Sequence, residues 1–163
     1  MKRLAAALFV LTALAGCAAL YLRLAANLSV AGSYAQIRPA EESIAAFEDL
    51  KSRLADGSFV GEVISDADLG SPEGYEFLSY TVRLRNYGAL PAEWIRMEIQ
   101  PDPNWDVIAL GEPRGFSLAP FSTGALSGAM LARSGGDPAR ALTIRYYVYG
   151  RMLEITLPPD RVR

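Results

Sequence analysis

Histidine is absent from all 163 residues, and cysteine occurs once, at Cys17. The first absence excludes His-dependent catalytic triads and histidine metal sites. The second excludes any intramolecular disulfide framework. Lysine is nearly missing too, since fourteen of the sixteen basic residues are arginine. No basic run or cluster supplies the electrostatic footprint of a nucleic-acid-binding protein. Sixteen basic against eighteen acidic residues gives a net charge of −2. Without Lys2, Arg3 and Arg23 the balance is thirteen against eighteen, so the chain beyond Arg23 carries −5. Gly-x-Ser-x-Gly, Ser-x-x-Lys and a glycine-rich phosphate loop are all lacking. Acid–base chemistry would fall to carboxylates, Lys51 or tyrosine. The expectation is a non-enzymatic protein without a cofactor.

What the chain has in excess lies at its front. Leu4 to Leu22 is nineteen residues without a charge, preceded by Lys2 and Arg3 and closed by Arg23. As a helix this run would extend about 29 Å, close to the hydrocarbon thickness of a bilayer. The charge asymmetry predicts a single-pass anchor in a bacterial cytoplasmic membrane, N-terminus inside and the remainder outside. Leu14-Ala15-Gly16-Cys17 is similar to a bacterial lipobox, which makes a lipid anchor on Cys17 the alternative. Cleavage near Ala31 or Ala35 is a third. Each puts the rest of the chain outside the cytoplasm.

Residues 24–57 read as a stalk followed by an amphipathic helix. Pro39 opens the helix, about Ala40 to Ala55, with Glu41 and Glu42 in its first turn. Ile44, Phe47, Leu50 and Leu54 form its apolar stripe, and Asp56-Gly57 ends it. The stripe either packs on the following domain or receives a partner.

From Ser58 to Pro158 the period falls from 3.6 to 2, and residues 159–163 form a short tail. Seven strands are expected: Phe59 to Ile64; one around Leu78, Tyr80, Val82 and Leu84; one around Ile95, Met97 and Ile99; Val107 to Leu110; Thr123 to Ala132; Leu142 to Val148; and Leu153 to Leu157. Gly150-Arg151 is read as a type II′ turn, setting Val148 opposite Leu153, Tyr146 opposite Ile155 and Ile144 opposite Leu157. Seven short strands with glycine, proline and asparagine turns predict an antiparallel β-sandwich.

Two segments carry a resemblance. Val82-Arg-Leu-Arg-Asn86-Tyr-Gly88 and Leu118-Ala-Pro120-Phe-Ser-Thr-Gly124 resemble strand-turn signatures of bacterial extracellular immunoglobulin-like modules. The chain departs from that pattern in lacking the cysteine pair and a tryptophan between them. The resemblance implies an Ig-like sandwich with an adhesive, scaffolding or accessory role.

The outward positions of three expected strands carry Arg83, Arg85, Trp94, Arg96, Arg145, Tyr147 and Tyr149. On adjacent strands they would make an arginine and aromatic surface. Arginine forks grip carboxylates and phosphates, and aromatic faces stack on sugars or cations. Such a surface fits an envelope protein partner or, alternatively, a glycan or envelope polymer. Glu93, Glu98 and Glu154 project from the same faces and could instead pair with the arginines. Asp102-Pro-Asn104-Trp-Asp106 starts like a calcium loop, but Val107 and Pro113 stand where an EF-hand needs Gly and Glu. Asp66, Asp68 and Glu73 mark a second acidic loop. Turn chemistry accounts for both, so no metal is expected.

Overall fold

The computed structural model describes residues 2–25, 27–65, 68–110 and 115–162. Among these residues a helix, α1 (Lys2–Ala25), leads into nine strands in two antiparallel sheets. The described side chains of α1, residues 8–21, are all exposed. No helix among the described residues is long and apolar enough to cross a membrane, which corrects the expected membrane-spanning helix. Between its leucines the described part of α1 carries the small side chains Thr12, Ala13, Ala15, Gly16, Ala18 and Ala19.

The expected stalk is a strand. β1 (Leu28–Pro39) pairs with β3 (Tyr75–Asn86) from Leu28↔Asn86 to Pro39↔Glu76. It lies at a sheet edge, so only one side of its backbone is paired. A short 3-10 turn, Ala40–Ser43, then leads into α2 (Ile44–Ala55). The regular helix thus begins four residues later than expected. Its end falls at Asp56, whose N–H bonds the Ser52 carbonyl, and Gly57 takes φ 72°.

The other strands are β2 (Gly61–Val63), β4 (Ala92–Ile99), β5 (Asp106–Leu110), β6 (Phe116–Leu118), β7 (Thr123–Arg133), β8 (Leu142–Val148) and β9 (Arg151–Leu157). One sheet runs β1-β3-β7-β5-β2 and the other β6-β4-β8-β9. Nine strands replace the expected seven because β1 and the three-residue β6 lack a clear alternation. The sheets face each other across a core holding Tyr80, Val82 and Leu84 from β3, Ile95 from β4, and Leu142 and Ile144 from β8. Gly124 and Gly128 on β7 permit this approach. A Cβ on Gly124 would stand 2.7 Å from Leu118, and one on Gly128 3.0 Å from Met97.

α2 covers the outer face of the five-stranded sheet. Phe47 and Leu50 pack with Leu69, Val107, Ile108 and Leu131 in a second apolar cluster, and Leu54 lies at its margin. Three of the four stripe residues therefore face the domain, while Ile44 is exposed.

The last hairpin differs in register. Its turn is Tyr149-Gly150, with both φ angles positive at 50° and 73°. That is the backbone signature of a type I′ turn, whose twist matches the strands. Val148 pairs with Arg151, Tyr146 with Leu153 and Ile144 with Ile155, two residues from the expected register. A shift of two keeps every side chain on its expected face. It also sets Arg145 opposite Glu154, which favours this register over one with Arg145 opposite Thr156.

Candidate functional site

β4 carries a bulge in its first half. Ala92 pairs with Leu118 and Ile95 with Phe116, so β4 has one residue more than β6 between those pairs. The same extra residue appears against β8, between Glu93↔Tyr147 and Arg96↔Arg145. Trp94 sits inside the bulge with φ 51°, and 63% of its surface is exposed. Positive φ is rare for a bulky side chain, and bulges re-aim side chains.

Beside Trp94 lies an open groove of about 730 Å³ on the outer face of the four-stranded sheet. Arg96, Glu98, Thr143, Arg145, Tyr147 and Met152 line it with Trp94, and Gly150 of the β8–β9 turn also borders it. Strand pairing explains this set. Tyr147 faces Met152 and Arg145 faces Glu154 across β8 and β9. Arg145 bridges two carboxylates, Glu98 at 2.7 Å and Glu154 at 3.3 Å. It is therefore engaged within the sheet, as the cross-strand alternative anticipated.

Four sequence candidates thus come together: Trp94, Arg96, Arg145 and Tyr147. Tyr149 stands at the border, in the turn before β9. Arg83 and Arg85 do not join them. Their strand, β3, belongs to the other sheet, so they project from the opposite outer face of the sandwich. There the Arg85 guanidinium lies 4.6 Å from the Tyr87 ring centroid. The single seven-residue surface is corrected to two surfaces. Alternation shows which residues share a side of a strand but not which sheet the strand joins.

The Asp102 loop resolves into protein contacts. Asp102 accepts hydrogen bonds at Oδ1 from the Asn104 backbone and side-chain nitrogens, both at 3.0 Å. Asp106 is fully buried and held by Arg140 through two 2.8 Å bonds, with the Asp102 N–H as a third donor. Arg140 also donates to the carbonyls of Asp137 and Ala139. The Asp106 hydrogen bonds raise the guanidinium pKa further, against the opposing effect of burial. Next to this pair, burial pushes the Tyr80 phenol well above its usual range, and its hydroxyl donates to the Pro138 carbonyl at 2.7 Å. Sequence reading missed Arg140, which lies 34 residues from Asp106 with no local pattern to link them. Among the described residues no cluster of three metal-ligating side chains occurs. Asp66 and Pro113 lie outside the described residues.

No family model matches the chain, and no curated protein matches it. Solved structures align over most of its length at low similarity. The chain provisionally named ApaA from Bordetella pertussis is 19% identical, over 80% of this chain and 88% of that one, with a TM-score of 0.36. An Archaeoglobus fulgidus protein is 8% identical, over 80% and 97%, with a TM-score of 0.29. A provisionally assigned lipoprotein of Bacillus subtilis, YcdA, is 10% identical, over 83% and 39%, with a TM-score of 0.28. Scores of this size assign neither family nor function.

Proposed function

We propose that the protein is a non-enzymatic interaction module of the bacterial cell envelope, docking a protein partner around Trp94. The observation that carries this is Trp94 itself. A large aromatic side chain is held in a costly backbone conformation, at a bulge, exposed, beside a groove. Strain of this kind costs on the order of 1–3 kcal/mol and persists where function requires the geometry. Tryptophan, tyrosine and arginine are also the residue types that dominate binding energy at protein interfaces. The groove carries both charge signs and Met152, a composition suited to a protein surface. The carboxylates Glu98 and Glu154 are tied to Arg145, which favours a binding face over carboxylate-based hydrolysis.

The strand order supports the finer, immunoglobulin-type kinship. Setting aside β2 and β6 leaves β1-β3-β7-β5 packed on β4-β8-β9. In chain order these correspond to the ABED and CFG sheets of a constant-type domain. We also propose a lipid anchor on Cys17, supported by the lipobox-like Leu14-Ala15-Gly16-Cys17 and by the exposure of that thiol. Incorporation of an alkynyl fatty acid that Cys17→Ser abolishes would support the anchor, and undiminished labelling would refute it.

A photo-reactive residue at position 147, activated in cells and followed by mass spectrometry, tests the binding face. The expected product is one specific protein adduct, lost in Trp94→Gly. The glycine should fold at least as stably as the parent, because it removes the strain. A glycan adduct would transfer the face to the alternative reading of glycan or envelope-polymer binding. An adduct that survives Trp94→Gly would refute the role given to Trp94.

A further inference from the structure

We propose that the end of the sandwich where the chain enters from α1 is a membrane-contacting surface, whose three aromatic loop tips lodge in the headgroup region of an anionic bilayer. This surface adjoins the Trp94 groove at the β8–β9 turn but does not rest on the role given to Trp94. The Tyr87 N–H bonds the Asn27 carbonyl at 2.8 Å, which fixes the β3–β4 connection beside the chain entry. The Asn86 N–H bonds the Ser122 carbonyl at 2.9 Å, bringing in the β6–β7 connection. The buried Asn86 side chain ties both together, donating to the carbonyls of Leu90, Leu118 and Ala119. The β8–β9 turn ends at the same level, since Tyr147 pairs with Glu93 near the start of β4.

Each connection presents one exposed aromatic: Tyr87, Phe121 at 70% exposure and Tyr149 at 79%. Phe121 and Tyr149 are held at φ 58° and 50°, and with Trp94 they are the only non-glycine residues of positive φ among those described. Three observations name a bilayer as the occupant. The last described side chains before the entry, Leu20 and Tyr21, are large hydrophobic groups left uncovered on the segment that feeds this end. Segments 27–30, 86–91, 118–123 and 148–151 contain no acidic residue, although the chain beyond Arg23 carries −5. The first carboxylate along β4 is Glu93, whereas Asp68, Glu73, Asp102, Asp106 and Asp137 collect at the far end. Finally, Arg85 lies against Tyr87, and Arg151 follows the Tyr149-Gly150 turn. Aromatic tips flanked by arginine and free of acid match the polar–apolar boundary of an anionic membrane, where such rings settle about 5–10 Å deep.

The test places a tryptophan at the tips. In full-length protein carrying Trp94→Phe, only Trp105 at the far end still emits as tryptophan. Phe121→Trp and, separately, Tyr149→Trp are added and reconstituted into phosphatidylethanolamine–phosphatidylglycerol vesicles with brominated acyl chains. The added emission should be blue-shifted and quenched by bromines placed high on the chains, while Trp105 is unaffected in the parent. Both aromatic exchanges keep the exposed ring, and circular dichroism checks folding. Equal, unquenched emission from positions 121, 149 and 105 in vesicle-bound protein overturns the proposal. A blue shift that grows with protein concentration without bromine quenching also overturns it, since it would assign the tips to a second protein surface.

Discussion

Replacing Arg140 with methionine isolates the least accessible charge in the domain. Asp106 has no exposed surface and receives two of its hydrogen bonds, both 2.8 Å long, from the Arg140 side chain. Arg140→Met removes both and leaves the carboxylate with the Asp102 N–H among the donors described. Breaking one partner of such a pair costs about 3–5 kcal/mol, because the remaining charge stays desolvated. Domains of this size are stable by about 5–15 kcal/mol, so roughly a fifth or more of the total is at stake. The midpoint temperature should fall by roughly 10–20 °C. Urea unfolding of full-length protein in mild detergent measures this, with the fluorescence of Trp105, adjacent to Asp106, as the local report. Asp106→Leu combined with Arg140→Met should recover most of the loss, since an apolar pair of similar volume is commonly neutral or better. Arg145→Ala serves as the exposed comparison and should cost only about 0–1 kcal/mol despite its two partners. A loss below about 1 kcal/mol for Arg140→Met, or a double variant no better than the single one, would refute the argument from buried charge.

Three further outcomes are expected. Asn86→Ala removes donors to three loop carbonyls and the acceptor of the Gly88 N–H, and should cost about 1–3 kcal/mol in urea unfolding, with faster amide exchange in residues 87–91 and 119–122. Tyr149→Asn suits a type I′ turn better than tyrosine does and should stabilise by about 0.4–1 kcal/mol, read as a higher urea midpoint at unchanged slope. Gly61→Ala would place its Cβ 2.4 Å from the Ala109 carbonyl, a backbone atom that cannot turn aside. It should detach β2 at a cost of about 1–3 kcal/mol, seen as loss of exchange protection confined to residues 61–63 and 108–110.

Sequence patterning made the sandwich legible where side chains alternate strictly between core and water. β3, β8 and β9 are such strands, and their faces are as expected. The stripe of α2 was legible for the same reason. β1 was hidden because edge pairing holds it through its backbone, and after Leu28 its side chains fall into no clean two-sided pattern. The hairpin faces were readable but the register was not. Parity fixes the face, while the choice between Gly150-Arg151 and Tyr149-Gly150 depends on a tyrosine accepting positive φ. The candidate surface was half legible: Trp94, Arg96, Arg145 and Tyr147 meet, while Arg83 and Arg85 belong to a strand assigned by long-range pairing to the other sheet. The Asp106–Arg140 pair was not legible, because nothing local joins two positions that only the folded chain brings together.

The conversion of the expected stalk into β1 has a mechanical consequence. Only two residues separate the end of α1 from the first paired residue of β1. Tension on the tether would therefore reach the sheet with almost no slack to absorb it. Pulled from its entry end against a load held elsewhere in the domain, β1 is drawn along its own axis. Its eleven paired positions with β3, from Leu28 to Pro39, would then be sheared together rather than peeled apart one by one. A module attached in this way would transmit displacement between its anchor and whatever it holds, and would yield abruptly instead of gradually.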